Sequence, residues 1–262
     1  MKKIVSATGK AAYKLLAVVL FFALWEAASR LRIGINPIFV PPFSKIISTL
    51  WTEVILTGKI WKHLTVSLQR SLIGFCIGVI VAVPLGLAIG WFKRFGDFLN
   101  SLLQMFRNTP TLALLPVFIA LFGIGEMSKI VIIFWGVLWS VLLNTIAGVR
   151  AVDPQLVRAS RSMGTGAPRL FGTVILPASL PYIFTGMRMA ATTSILIIIA
   201  AEMNGANKGL GYQLYFYQVN MKYPEMYAYI VLLSLLGIGL NAVLEHVERR
   251  SFRWRDETGT AK

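Results

Sequence analysis

Six polar side chains stand where an otherwise apolar chain has least use for them. Arg107 and Asn108 precede a pair of prolines, Asn144 interrupts a run of valine, leucine and tryptophan, Arg188 sits among small and aliphatic residues, and Glu202 and Asn204 close that same run. Holding such groups in lipid is costly, so each carries a functional reading by default. They can line a path for a polar or anionic solute. The competing reading is structural: Asn144 bonds a neighbouring helix, and Arg188 snorkels to the headgroups. Nothing else has the residue types and spacing for catalysis. G-x-x-x-x-G-K-[ST] is absent, so the chain cradles no nucleotide phosphate by itself. H-E-x-x-H and Cys/His clusters are absent too, and the histidines, His63 and His246, are far apart. Gly164-Thr165-Gly166 precedes no lysine in the required register and reads as a turn. No catalytic residue and no metal ligand is expected. A membrane-embedded transferase, which needs an acidic metal site or a His/Asp cluster at a membrane face, is disfavoured.

The elements that must position these residues follow from hydropathy. The 262 residues are 56% hydrophobic, and the mean hydropathy is +0.69. Several apolar runs approach the ~20 residues that span a bilayer. Backbone groups in hydrocarbon must be satisfied within their own segment, so the expected fold is an all-α, polytopic membrane helix bundle. Six transmembrane helices are read at 13–31, 64–92, 99–123, 126–149, 179–203 and 225–247. The first run follows Lys2, Lys3, Lys10 and Lys14 and passes into Arg30 without a small-x-small cleavage site, so it reads as an uncleaved anchor. Cys76 is the only cysteine, which excludes an internal disulfide. A self-contained secondary transporter would fit the length, but no inverted repeat and no matched pair of broken helices is visible.

A net charge of +15 would suggest nucleic acid in a soluble chain. Here it reads as orientation signal and lipid-headgroup contact, with no nucleic-acid partner. With the N-terminus inside, one set of loops collects Lys2, Lys3, Lys10, Lys14, Lys93, Arg94, Arg150, Arg158, Arg161, Arg169, Arg249, Arg250, Arg253, Arg255 and Lys262. The other set holds Arg30, Arg32, Lys45, Lys59, Lys62, Lys129, Lys208 and Lys222, and Arg70, Arg107 and Arg188 remain in or at the ends of spans. The excess places both termini in the cytoplasm, with tails at 1–12 and 249–262 and an outer segment at 32–63.

Three segments have further structure. After Pro41-Pro42, Ser44 can cap a helix whose apolar positions Ile46, Ile47, Leu50, Trp51 and Val54 share a face, suited to the outer interface or to packing across the bundle. Gly74, Gly78, Ala82, Gly86 and Gly90 put a small residue at every fourth position of the second span, a stripe for close helix packing, and Pro84 bends that span. Pro110 and Pro116 make the third span the least regular.

Between the fourth and fifth spans lies a cytoplasmic segment at 150–178. Asp153-Pro154 is a helix start; Leu156, Ala159, Ser160 and Met163 share a face, and Gly164 supplies a left-handed stop. A second short helix is expected from Pro168 to Pro177, followed by re-entry at Leu180-Pro181. These residues resemble the EAA loop of the inner-membrane permeases of ATP-binding-cassette importers. Gly164, nine residues, then Val174-Ile175-Leu176-Pro177 keep the family's spacing, whereas its Glu-Ala-Ala is Arg158-Ala159-Ser160 here, a basic residue in place of an acidic one.

The resemblance is closest to the nitrate, sulfonate and taurine branch. It extends through Pro41–Ser44, His63-Leu64 to Arg70, Gly74-Phe75, Thr109–Glu126, Ala200–Met203 and Gly209-Leu210-Gly211. It implies the type I importer transmembrane fold, with a core domain at 64–248. It further implies a second permease copy, two cytoplasmic ATPase subunits that bind ATP and Mg, and an extracytoplasmic solute-binding protein. Arg158, Ala159, Ser160, Met163, Gly164, Leu176 and Pro177 would then meet the ATPase, and Arg107, Asn108, Asn144, Arg188 and Glu202 are pathway candidates. The solute expected is a small anion such as nitrate, taurine or an alkanesulfonate; a neutral pyrimidine precursor of thiamine is the alternative.

Overall fold

The computed structural model describes residues 2–32 and 36–251. Met1 and the tail residues 252–262, with Arg253, Arg255 and Lys262, lie outside the described residues, as do 33–35. Every regular element among the described residues is helical: α1 Lys2–Leu31, α2 Phe43–Trp51, α3 Lys59–Trp91, α4 Lys93–Arg107, α5 Leu115–Phe122, α6 Glu126–Arg150, α7 Pro154–Ser162, α8 Ala167–Leu170, α9 Leu176–Met203, α10 Leu210–Val219 and α11 Tyr223–Ser251. Two π turns, Thr52–Leu56 and Phe171–Ile175, prolong α2 and join α8 to α9.

Four stretches are long and apolar enough to cross a membrane: Lys59–Trp91, Glu126–Arg150, Ala167–Met203 and Tyr223–Glu248. α1 covers the first expected span. The expected span at 99–123 is two helices instead, α4 and the segment Thr111–Phe122, meeting at 84°. Pro110 has no N–H to carry the ladder across, and Pro116 occupies the first turn of α5, where that loss costs nothing.

The chain divides into two compact units, residues 1–63 with 213–234 and residues 64–212 with 235–262. In the first, α1 fixes the start of α2. Trp25 Nε1 donates to the Pro41 carbonyl at 3.1 Å and Ser29 Oγ to that of Val40 at 2.7 Å. Ser44 is not the cap that its type suggests. Pro42 stands at the cap position, and the Ser44 N–H and hydroxyl donate to the Glu26 carboxylate at 3.0 and 2.8 Å. An ionised carboxylate is a better acceptor for a helix N-terminus than a hydroxyl, so α1 supplies the cap from outside.

In the second unit α6 is central. Along one side runs the small-residue stripe of α3: a Cβ added at Gly74, Gly78, Gly86 or Gly90 would lie 2.6–2.7 Å from a side-chain atom of Ile133, Val137, Thr145 or Val149, in that order. Ala82 and Val141, both fully buried, continue the seam. The β-branched residues recur every fourth position on α6, so ridge meets groove without displacement. On its other side α6 meets α9, where Gly148 fits against Tyr182 and Gly186 against Asn144.

Candidate functional site

At one end of the second unit the chain turns through α7 and α8. Asp153 Oδ1 accepts the Gln155 N–H at 2.7 Å, which caps α7, and Pro154 follows in the first turn. Gly164 closes it at φ +75, a left-handed conformation that glycine adopts without strain. Beneath α7 an apolar cluster of Val149, Val152 and Ile175, with Leu87, Trp91, Val157, Phe171 and Val174 against it, ties the turn to the ends of α3 and α6. The outer face stays bare. Leu156 is 55% and Met163 77% exposed, with Ala159, Arg158 and Arg161 also exposed, whereas Ser160 turns inward at 7%. Leu156, Ala159 and Met163 thus form an apolar strip edged by two guanidinium groups on an anchored helix.

Pro177 does not end the second arm. The helical path continues from Ala167 to Met203, because the π turn Phe171–Ile175 shifts the ladder just before the proline: the Leu176 N–H reaches back to the Phe171 carbonyl. A widened turn lets a helix absorb a residue that lacks a donor. Leu176 and Pro177 therefore start α9, and Pro181 lies inside it.

At the far end of the same unit lies a charged cluster, buried except at Glu126, whose side chain is 63% exposed. Arg70, 5% exposed on α3, clasps both oxygens of Glu126 at 2.5 Å through Nε and Nη2. Its Nη1 donates to Glu202 Oε1 at 2.7 Å and to the Lys208 carbonyl at 2.8 Å. Glu202 is fully buried and also accepts from Ser67 Oγ at 2.8 and 2.9 Å and from the Gly211 N–H at 2.9 Å. Ser67 Oγ in turn accepts the Leu210 N–H at 2.8 Å. Lys129, 3% exposed on α6, bonds the carbonyls of Gly125 at 2.9 Å and Gly205 at 3.2 Å. Two buried cations from two helices thereby grip the loop after α9. Gly209, at φ +119, is required twice over, since a Cβ there would collide with the Glu202 carboxylate.

The pathway candidates do not converge. Arg107 and Asn108 are exposed at the 84° break. Asn144 donates to the Ser140 carbonyl of its own helix at 2.8 Å and packs against Gly186. Arg188 pairs with Glu248 of α11 at 2.6 Å, so its charge is already matched. Glu202 belongs to the Arg70 cluster. Sequence reasoning missed that cluster; the one signal for it is that Arg70, Glu126 and Glu202 all lie near span ends expected on the same side.

The helical bundle that carries this anchored, capped helix has the fold of the membrane-spanning part of ABC transporters. The fold is shared with an amino acid ABC transporter solved with histidines, at TM-score 0.63 and 21% identity over 77% of this chain and 98% of that one. The inward-facing MetNI methionine ABC transporter matches at TM-score 0.61 and 20% identity over 70% and 92%. Residues 74–253 match the binding-protein-dependent transport system inner membrane component family, and the chain belongs to it. A putative aliphatic sulfonates transport permease of Escherichia coli K12 is 36% identical over 88% of each chain. The taurine transport system permease of the same strain is 30% identical over 92% of this chain and 88% of its own. The nitrate import permease of Leptolyngbya laminosa is 31% identical over 74% and 69%. The chain is thus a multi-pass inner-membrane transport component.

Proposed function

We propose that this chain is the permease of an ATP-driven importer for a small anion of the sulfonate, taurine or nitrate kind. Two copies form the pathway between them, α7 of each copy seats on a cytoplasmic ATPase that binds ATP and Mg, and an extracytoplasmic binding protein delivers the solute to the Arg70 end. Both termini lie in the cytoplasm in this reading. The observation that carries it is the bare strip of Leu156, Ala159 and Met163 on a helix fixed from below by Val152, Phe171 and Ile175. A rigid projection transmits a push, where a loose loop absorbs it. The basic Arg158 and Arg161 call for an acidic rim on the ATPase groove. The anion assignment rests on the names of the relatives and on Arg107, since Arg188 is neutralised by Glu248.

The test is uptake into vesicles that contain the full importer. Uptake should stop without ATP. It should also stop when Gly164 is replaced by tryptophan, although the variant still reaches the membrane. Uptake that survives both changes refutes the importer reading. For the solute, the melting temperature of the binding protein encoded beside this chain should rise with taurine, an alkanesulfonate or nitrate; a rise with neutral heterocycles alone refutes the anion.

A further inference from the structure

We propose that Arg70 is a positioning residue for transport: it locks the far ends of α3, α6 and α9 together, so that a displacement applied at α7 arrives there undiminished. The inference rests on the importer reading above. Its basis is geometric. A guanidinium offers its donors in one rigid plane. At Arg70 that plane is divided among Glu126 at the start of α6, Glu202 near the end of α9, and the Lys208 carbonyl beyond it. Sliding any of the three segments by an ångström breaks bonds. Arg70 and Glu202 are 5% and 0% exposed, so little water is available to replace the bond between them, whereas the Glu126 side chain is 63% exposed and its bonds are the ones water can replace.

The remaining contacts make the same body stiff along its length. α7 follows α6 after only the three residues 151–153, of which Val152 is buried in the apolar cluster, and the second arm runs as one helical path into α9. The apolar cluster below α7 holds both arms to α3, and the glycine seam fixes α3 to α6 at every fourth residue. Ser71 on α3 and Ser194 on α9 share a hydrogen bond of 2.8 Å within the bundle. The near end, the middle and the far end are therefore each tied, and the far tie is the one made of charge. Gly209 and Gly211 are the room left for it: a side chain at either would displace Glu202 or strike the Ile199 carbonyl. On this reading α3, α6 and α9 of one chain do not part during the cycle, and the opening for solute lies outside them.

The test measures solute taken up and ATP hydrolysed in the same vesicles that hold the assembled importer. Arg70→Lys keeps a charge facing Glu202 but cannot clasp Glu126 and the Lys208 carbonyl at once. Its hydrolysis should persist while solute moved per ATP falls at least tenfold. An unchanged ratio, or hydrolysis and uptake falling in step, overturns the proposal. A second arm does not depend on how well that variant folds. Ser71→Cys with Ser194→Cys, in a Cys76→Ser background, places two thiols where the hydroxyls now meet. Oxidising this pair should leave uptake at its reduced level, and in the Arg70→Lys background should restore the ratio. Loss of uptake on oxidation, recovered with reductant, means that α3 and α9 must separate, and the proposal fails. Failure of the unmodified importer to couple uptake to ATP would instead strike the importer reading itself.

Discussion

The contact between α3 and α6 can be tested by exchanging bulk across it. A methyl at Gly78 would lie 2.6 Å from Val137 Cγ1 and 2.9 Å from its Cβ, with the Phe134 carbonyl at 3.4 Å. Val137 is fully buried and has one preferred rotamer in a helix, so the strain cannot be relieved by rotation. Overpacking of this kind costs about 1–3 kcal/mol. At about 2–4 °C per kcal/mol for a chain of this size, Gly78→Ala should lower the melting temperature by about 2–12 °C in nanodiscs. Val137→Ala removes Cγ1, the nearest obstructing atom, keeps the Cβ at 2.9 Å, and should destabilise through the void it leaves. The double variant G78A/V137A refills part of that void, so its loss should be smaller than the sum of the single losses by about 1 kcal/mol or more. Gly172→Ala is the control, because nothing lies within 4 Å of a Cβ there. Unchanged stability in G78A, or strict additivity in the double variant, would refute the close seam.

Two other perturbations follow from the ion pairs. Gly209→Ala should expel the Glu202 carboxylate from its bonds and cost about 3–5 kcal/mol, the range for breaking a buried ion pair, seen as a loss of folded, monodisperse protein on size exclusion; wild-type yield and melting temperature in that variant would contradict the packing described. Arg188→Ala strands Glu248 and should destabilise more than the double variant R188A/E248A, with a coupling of about 1–2 kcal/mol in a thermal-denaturation cycle; zero coupling would mean that the 2.6 Å pair contributes nothing.

What the sequence disclosed was local, and what it withheld was long-range. Asp153-Pro154 and Gly164 declare the limits of α7 because capping and left-handed turns are decided within a few residues. The stripe from Gly74 to Gly90 announced a close neighbour but not which one. The matching period at Ile133, Val137, Val141, Thr145 and Val149 was present in the same sequence. The ion pairs could not be read off in this way, since Arg70 and Glu202 are 132 positions apart and Arg188 and Glu248 are 60 apart. Only the assembled bundle sets such partners face to face. The sequence alone therefore presents Arg188 and Glu202 as unmatched charges within spans. Two expectations failed for a shared reason. Ser44 as a cap and Pro177 as a stop are sound local rules, and each was overridden by a neighbour, Glu26 from α1 and the π turn before α9.

The helical path from Ala167 to Met203 has 37 residues. At 1.5 Å per residue it is about 55 Å long, against about 30 Å of hydrocarbon. With Met203 near one boundary, the other falls close to Tyr182, an aromatic of the kind that sits at headgroup depth. Some 25 Å of the rod then stands outside the hydrocarbon, of which the headgroup layer covers about 5–8 Å. A displacement applied at the Ala167 end therefore enters the membrane along a single helical path, with the Gly164 turn as the hinge between that rod and α7.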